Sequence, residues 1–173
     1  MKNLLSTTTI AVMLSLSGCS EKNEIAPDNG GTFTLNGTTY KTSFAYSENF
    51  GSTESGYYET AVLLTSKEVD LEADEFNGID VVFFDLVTEE EDVIPEGTYK
   101  LDHSGNSYTM TGYIGIDVTG SLLDNPFENI FRFSQGSVTV EKERDNYIFN
   151  YSFTDENNIS VSGSHSGNIN PSE

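Results

Sequence analysis

The last third of the chain alternates, and that limits what it can fold into more than any other feature. Val138 and Val140 point one way while Ser137, Thr139 and Glu141 point the other. Tyr147, Phe149, Tyr151 and Phe153 then oppose Ile148, Asn150 and Ser152, and Ile159, Val161 and Gly163 oppose Ser160, Ser162 and Ser164. A period of two belongs to a strand, whose successive side chains leave opposite faces of a sheet. A helix of about 3.6 residues per turn would scatter these rings around its axis. Turn residues separate the runs at Arg144-Asp145-Asn146 and from Asp155 to Asn158. This region reads as an antiparallel meander with one packed face and one wet face.

Strand signals also dominate upstream. Phe33 and Leu35 alternate with Thr32 and Thr34, and Asn36-Gly37 follows, a dipeptide suited to a hairpin because both central positions need positive φ. Ser43 to Gly56 reads as irregular. Tyr57 to Ser66 is a strand that Ala61, Val62, Leu63 and Leu64 make apolar on both faces, and Gly78 to Val87 has the same character. Between them, Val69, Ala73 and Phe76 are spaced for a short helix within an acidic stretch that suits a loop equally well. Glu89 to Asp92 is a charged turn, Pro95-Glu96-Gly97 a breaker, and Thr98 to Leu101 a short strand. Tyr108 to Val118 alternates cleanly, with Tyr108, Met110, Gly112, Ile114, Ile116 and Val118 on one face; Gly112 suggests a bend or close packing. A loop around Pro126 precedes a strand carrying Phe131 and Phe133. About nine or ten short strands at this spacing predict an all-β fold. The expected arrangement is an antiparallel up-and-down meander, as a barrel or a two-sheet sandwich.

The N-terminus supplies an address. Lys2 precedes an uncharged apolar run from Leu4 to Leu16, too short for a stable membrane-spanning helix, and the run ends in Leu16-Ser17-Gly18-Cys19. This motif resembles the bacterial lipobox. The resemblance implies a signal peptide over residues 1–18, cleavage before Cys19, and a diacylglyceryl group on the Cys19 thiol. Cys19 is the sole cysteine, so lipid attachment accounts for it where an intramolecular disulfide cannot. Two or three acyl chains, at about 0.8 kcal/mol per buried methylene, would hold the protein on a membrane. Residues 19–31 read as a flexible tether and residues 32–173 as a single domain. Ser20 after the cysteine, followed by Glu21-Lys22-Asn23-Glu24, is similar to lipoproteins sorted to the outer membrane and displayed on the surface of Gram-negative bacteria.

The chain carries 28 acidic and 8 basic residues, a formal charge of −20. Loss of Lys2 with the signal peptide gives 7 − 28 = −21. Such a surface repels nucleic acid and anionic headgroups, keeps the domain soluble and attracts cations.

Pro95-Glu96-Gly97-Thr98-Tyr99, Gly136 to Val140, Tyr147, and Ser162-Gly163-Ser164-His165-Ser166-Gly167 resemble a large group of small bacterial surface lipoproteins. The resemblance covers mainly residues 95–170. It implies a lipocalin-like or calycin-like all-β domain and carries no catalytic residue to transfer. The Gly-x-Trp mark of lipocalins proper is absent, since the chain has no Trp.

Candidate chemistry is sparse. Asp70, Glu72, Asp74, Glu75 and Asp80 cluster in sequence and offer oxygens of the kind calcium takes. Glu75 stands where an EF-hand loop needs Gly, and a solvated acidic loop is the commoner meaning of such a run. Asp70, Asp74 and Asp80 are the metal candidates, and calcium is the one cofactor considered. Asp155-Glu156-Asn157-Asn158 reads as turn chemistry. His103 and His165, the two histidines, read as surface or loop residues. Paired carboxylates cannot be told apart among so many acids, and no Gly-x-Ser-x-Gly elbow is present. Tyr46, Tyr57 and Tyr58, with Phe50 and Tyr113, are candidates for stacking on sugars, although each singly is more often a packing residue.

The expected protein is therefore a non-enzymatic, lipid-anchored lipoprotein of the outer membrane whose β domain binds a ligand, glycan foremost. The alternative is an accessory subunit docking on another cell-envelope protein. Replacing Cys19 by Ala is expected to abolish incorporation of labelled fatty acid and to leave the leader uncleaved. Unchanged labelling would contradict the anchor.

Overall fold

The computed structural model describes residues 29–73, 75–120 and 129–171. The leader, Cys19, most of the tether and Asp74 lie outside the described residues. Within them the chain forms strands and turns and no helix. The strands are β1 (Gly30–Leu35), β2 (Thr38–Thr42), β3 (Phe44–Ser52), β4 (Tyr58–Thr65), β5 (Phe76–Thr88), β6 (Gly97–Leu101), β7 (Thr109–Gly120), β8 (Ile130–Glu143), β9 (Asn146–Asp155), β10 (Ser160–Gly167) and β11 (Asn170–Pro171). They join in one sheet of 11 strands in the order β11-β3-β4-β5-β7-β6-β8-β9-β10-β1-β2, with β7 also pairing β8. The sheet curls into a half-barrel.

The all-β expectation is met, and its details change. The sheet is mixed, because β6 runs parallel to β7 at Lys100–Leu101 and β11 runs parallel to β3 at Tyr46–Ser47. Both contacts are two residues long, too short to leave a pattern. Residues 44–52, expected to be irregular, form β3. Its alternation is broken by a bulge between Asn49 and Gly51, where Gly51 takes φ 84°. Of the helix and the acidic loop offered for the stretch around Val69, the loop is found, as a strap of turns. The Asp70 carboxylate accepts the backbone N–H groups of Glu72 and Ala73, which draws the backbone into a local turn in place of a helix. Phe76 belongs to β5.

The turns follow their chemistry. Asn36 and Gly37 both adopt positive φ (49° and 81°) in the β1–β2 hairpin. Between β9 and β10, the buried Asp155 carboxylate accepts N–H groups from Asn157 and Ile159 at 2.8 and 2.7 Å.

The concave face holds the main core. Phe84 from β5 is fully buried against Phe149, Tyr151 and Phe153 of β9 and Phe133 of β8, with ring centroids 5.2–6.4 Å away. Phe133 and Phe153 stack at 3.9 Å; Phe153 lies against Gly136 beside the β8 bulge and Phe133 against Gly112, two glycines with no room for a Cβ. Tyr151 lies over Gly163 in the same way. Val62, Leu64, Met110, Ile114, Val138 and Val140 complete the filling. A second, smaller core lies on the convex face, where the strap brings Val69 and Leu71 onto Tyr46, Leu63 and Val81. It accounts for β4 and β5 being apolar on both sides. Val118 was expected on the face of Met110 but joins this outer core. Asp117 takes φ 52° and adds one residue to β7 opposite β5, which reverses the alternation beyond it.

His165 corrects an expectation too. It is 2% exposed inside the sheet, opposite Gly31, with Nδ1 3.0 Å from the Thr42 hydroxyl. Burial pushes its pKa down to about 4. The folded protein therefore keeps His165 neutral while the unfolded chain takes up a proton below the ordinary value of 6.5. Stability from this group is complete above the ordinary value and is lost as pH falls through the window down to about 4. The loss is at most about 3 kcal/mol. A His165→Gln variant that folds is expected to show a shallower fall in melting temperature across that window. Identical pH profiles for the two proteins would contradict the assignment.

Candidate functional site

Strand β3 lies near one edge of the sheet, and its two faces border different clefts. Ala45 faces the main core and Tyr46 the outer core. Continuing the alternation puts Ser47 and Asn49 on the concave side. There a cleft of about 590 Å³ opens at the mouth of the half-barrel. Ser47 and Asn49 of β3, Thr60 of β4, Asp92 and Ile94 of the β5–β6 loop, Tyr147 of β9, and Ile169 and Pro171 line it, with Glu48 at its rim.

Asn49 organises this mouth. Its Oδ1 accepts the Gly51 N–H at 2.6 Å, which fixes the bulge, and its Nδ2 donates to Asp92 Oδ1 at 2.9 Å, which draws the β5–β6 loop inward. Asp92 itself takes φ 57° in that turn. Ile94 is buried in the main core and forms an apolar floor. The Thr60 side chain is 4% exposed, and its hydroxyl has no hydrogen-bond partner. On the far wall, the Lys142 ammonium lies 4.8 Å from the centre of the Tyr147 ring. Buried polar groups ordinarily find partners, so this unpaired hydroxyl beside the cleft is an exception.

The convex face carries a transverse row. Tyr46, Leu63, Phe83, Tyr113 and Arg132 stand in register on β3, β4, β5, β7 and β8. Phe83 and Tyr113 stack at 4.9 Å, and burial pushes the Tyr113 phenol up to about 12, against the lowering effect of Arg132. The Tyr46 hydroxyl accepts the Val69 N–H at 3.1 Å and so pins the strap. An outer cleft of about 690 Å³ follows, rimmed by Glu48, Glu68, Asp70 and Glu72. Beside it, Phe50, Leu71 and Phe83 enclose a small apolar depression. Phe50 is 59% exposed. In the next row Asp85 has a buried oxygen without a partner; burial, with the nearby Glu59 charge, pushes its pKa up.

The sequence-predicted residues divide. Tyr46 and Asp70 meet at the outer cleft, Tyr46 as a packed side chain and Asp70 as a turn acceptor. Asp80 accepts the Asp117 N–H at 3.1 Å on β5. Among the described residues, no group of three or more His, Cys, Asp or Glu is arranged to hold a metal ion. Tyr57 and Tyr58 line neither cleft. The Tyr57 carbonyl closes the β3–β4 turn by accepting the Thr53 N–H, and Tyr58 pairs with Ser52 and Thr88. Asn49, Thr60, Asp92 and Tyr147 were not singled out from sequence. The one available signal was Thr60, a polar residue in phase with Val62 and Leu64. No known protein family, no curated protein and no solved structure matches the chain.

Proposed function

We propose that the protein is a lipid-anchored lipoprotein of the outer membrane whose domain is a non-enzymatic binding module, with the mouth cleft as its ligand site. The address rests on the lipobox-like motif at Cys19 and the sorting-like residues after it. The observation that carries the binding reading is the mouth cleft itself. It is concave, has an apolar floor at Ile94 and an aromatic wall at Tyr147, and presents hydroxyls and carboxylates from Ser47, Thr60 and Asp92. A few polar groups over an apolar floor is how proteins hold small hydroxylated ligands, and an oligosaccharide fits that description. The lipocalin-like comparison is one of architecture: a ligand here sits at the mouth, because the interior is full of rings.

A second reading has its own support. Phe50 stands exposed at the edge of an apolar depression on the convex face, which suits docking on another envelope protein.

A glycan panel screened by thermal shift decides between them. A ligand bound only by the native state raises the melting temperature. The expected result is a glycan shift that disappears in Ser47→Trp, which fills the cleft, and survives in Phe50→Ala. A shift lost in Phe50→Ala and kept in Ser47→Trp would move the ligand to the convex face.

A further inference from the structure

The mouth cleft is acidic. Glu48 and Asp92 border it, and among the described residues no lysine or arginine lines it. Lys142 reaches its wall only, over the Tyr147 ring. The polar groups there are not equivalent. Asn49 has both ends of its amide engaged, so it positions the loop and leaves recognition to others. Asp92 uses Oδ1 for the Asn49 amide and keeps Oδ2 for an incoming donor. Thr60 brings a hydroxyl that is buried and unpaired.

Acceptors outnumber donors, and two of the acceptors are charged. Glu48 and Asp92 are both exposed, so a neutral ligand gains nothing from their charge, whereas a cation gains a surface ion pair with them. An anion would meet like charge both in the cleft and in the field of a chain with net charge −20. A bare calcium ion would find two carboxylates where it takes about six to eight oxygens. A protonated amine on a hydroxylated body meets every condition. The ammonium lies against the Asp92 carboxylate, with the Glu48 charge at the rim, and the hydroxyls reach Ser47 and Thr60. The Tyr147 ring, engaged by the Lys142 ammonium, offers its apolar edge to the sugar body, and the ammonium keeps to the Asp92 side of the cleft. We propose that the mouth cleft selects amine-bearing sugars over their neutral N-acetylated counterparts. This rests on the mouth being the ligand site.

The test is calorimetric titration of the full chain in detergent with two probes, the dimer of glucosamine and the dimer of N-acetylglucosamine. It is run at about pH 6, below the range of an ordinary amine. The glucosamine dimer is expected to bind about threefold more tightly, the scale of an ion pair made with exposed carboxylates. The preference should collapse in Asp92→Asn, where the side chain can still accept from Asn49. It should survive in Glu72→Gln on the outer cleft, and Thr60→Val should weaken both dimers together. Equal affinity of the two dimers would overturn the charge selection while leaving the mouth as a sugar site. An equal loss of preference in Glu72→Gln would also overturn it, by assigning the effect to the overall field. Binding of neither dimer, or binding unchanged in Ser47→Trp, would remove the mouth reading itself.

Discussion

The half-barrel is held by what fills it. Phe84 sits where rings from β8 and β9 converge, and its four aromatic neighbours come from strands far from β5 in sequence. Fully burying a side chain of this size contributes about 1.5–3 kcal/mol, and edge and stacked ring contacts add about 0.5–1.5 kcal/mol each. The close approaches at Gly136 and Gly163 exist so that Phe153 and Tyr151 can lie flat against neighbouring backbone. Filling has a functional consequence. A calycin-like barrel that held its ligand inside would need a hollow interior, whereas here Phe33, Phe84, Tyr99 and Phe149 are at most 1% exposed. Open space remains at the rim, where the strand ends and the β5–β6 loop leave the mouth cleft.

The same sheet serves two cores, and this explains where the polar exceptions fall. β4 and β5 are covered by the aromatic cluster on one side and by the strap on the other. Polar atoms caught between or beside these layers have few partners, as at Tyr151, Thr60 and Asp85. Tyr151 accepts an unpaired hydroxyl in exchange for covering Gly163. Asp85 is held beside the Glu59 carboxylate on the convex face, and its raised pKa expresses that cost. Thr60 differs from both because it lines the mouth cleft.

The regular parts of the fold were legible because they obey local rules. Alternation located β8, β9 and β10, and Asn36-Gly37 announced a hairpin whose two residues do take positive φ. What escaped depends on single residues that break the period. The Asn49–Gly51 bulge hid β3, and Asp117 inverted the end of β7. The strap imitated a helix because Val69 and Phe76 both serve the outer core, but they reach it from a turn and from a strand. The site escaped for a related reason. Tyrosines were the natural candidates, yet Tyr46 is spent on holding the strap, Tyr57 on a turn and Tyr58 on pairing β4 with β3 and β5. The cleft is assembled from β3, β4, β9 and a loop that only the three-dimensional curl brings together.

The central claim is that ligand binds at the rim of a filled half-barrel, on the concave side of β3. Amide and side-chain NMR shift mapping during titration with the glucosamine dimer tests it most directly. The account predicts perturbations at Ser47, Asn49, Thr60, Asp92, Tyr147 and Ile169, with Phe50 and Leu71 on the convex face unmoved. Perturbations centred on Phe50, Leu71 and Phe83, with the mouth silent, would contradict it.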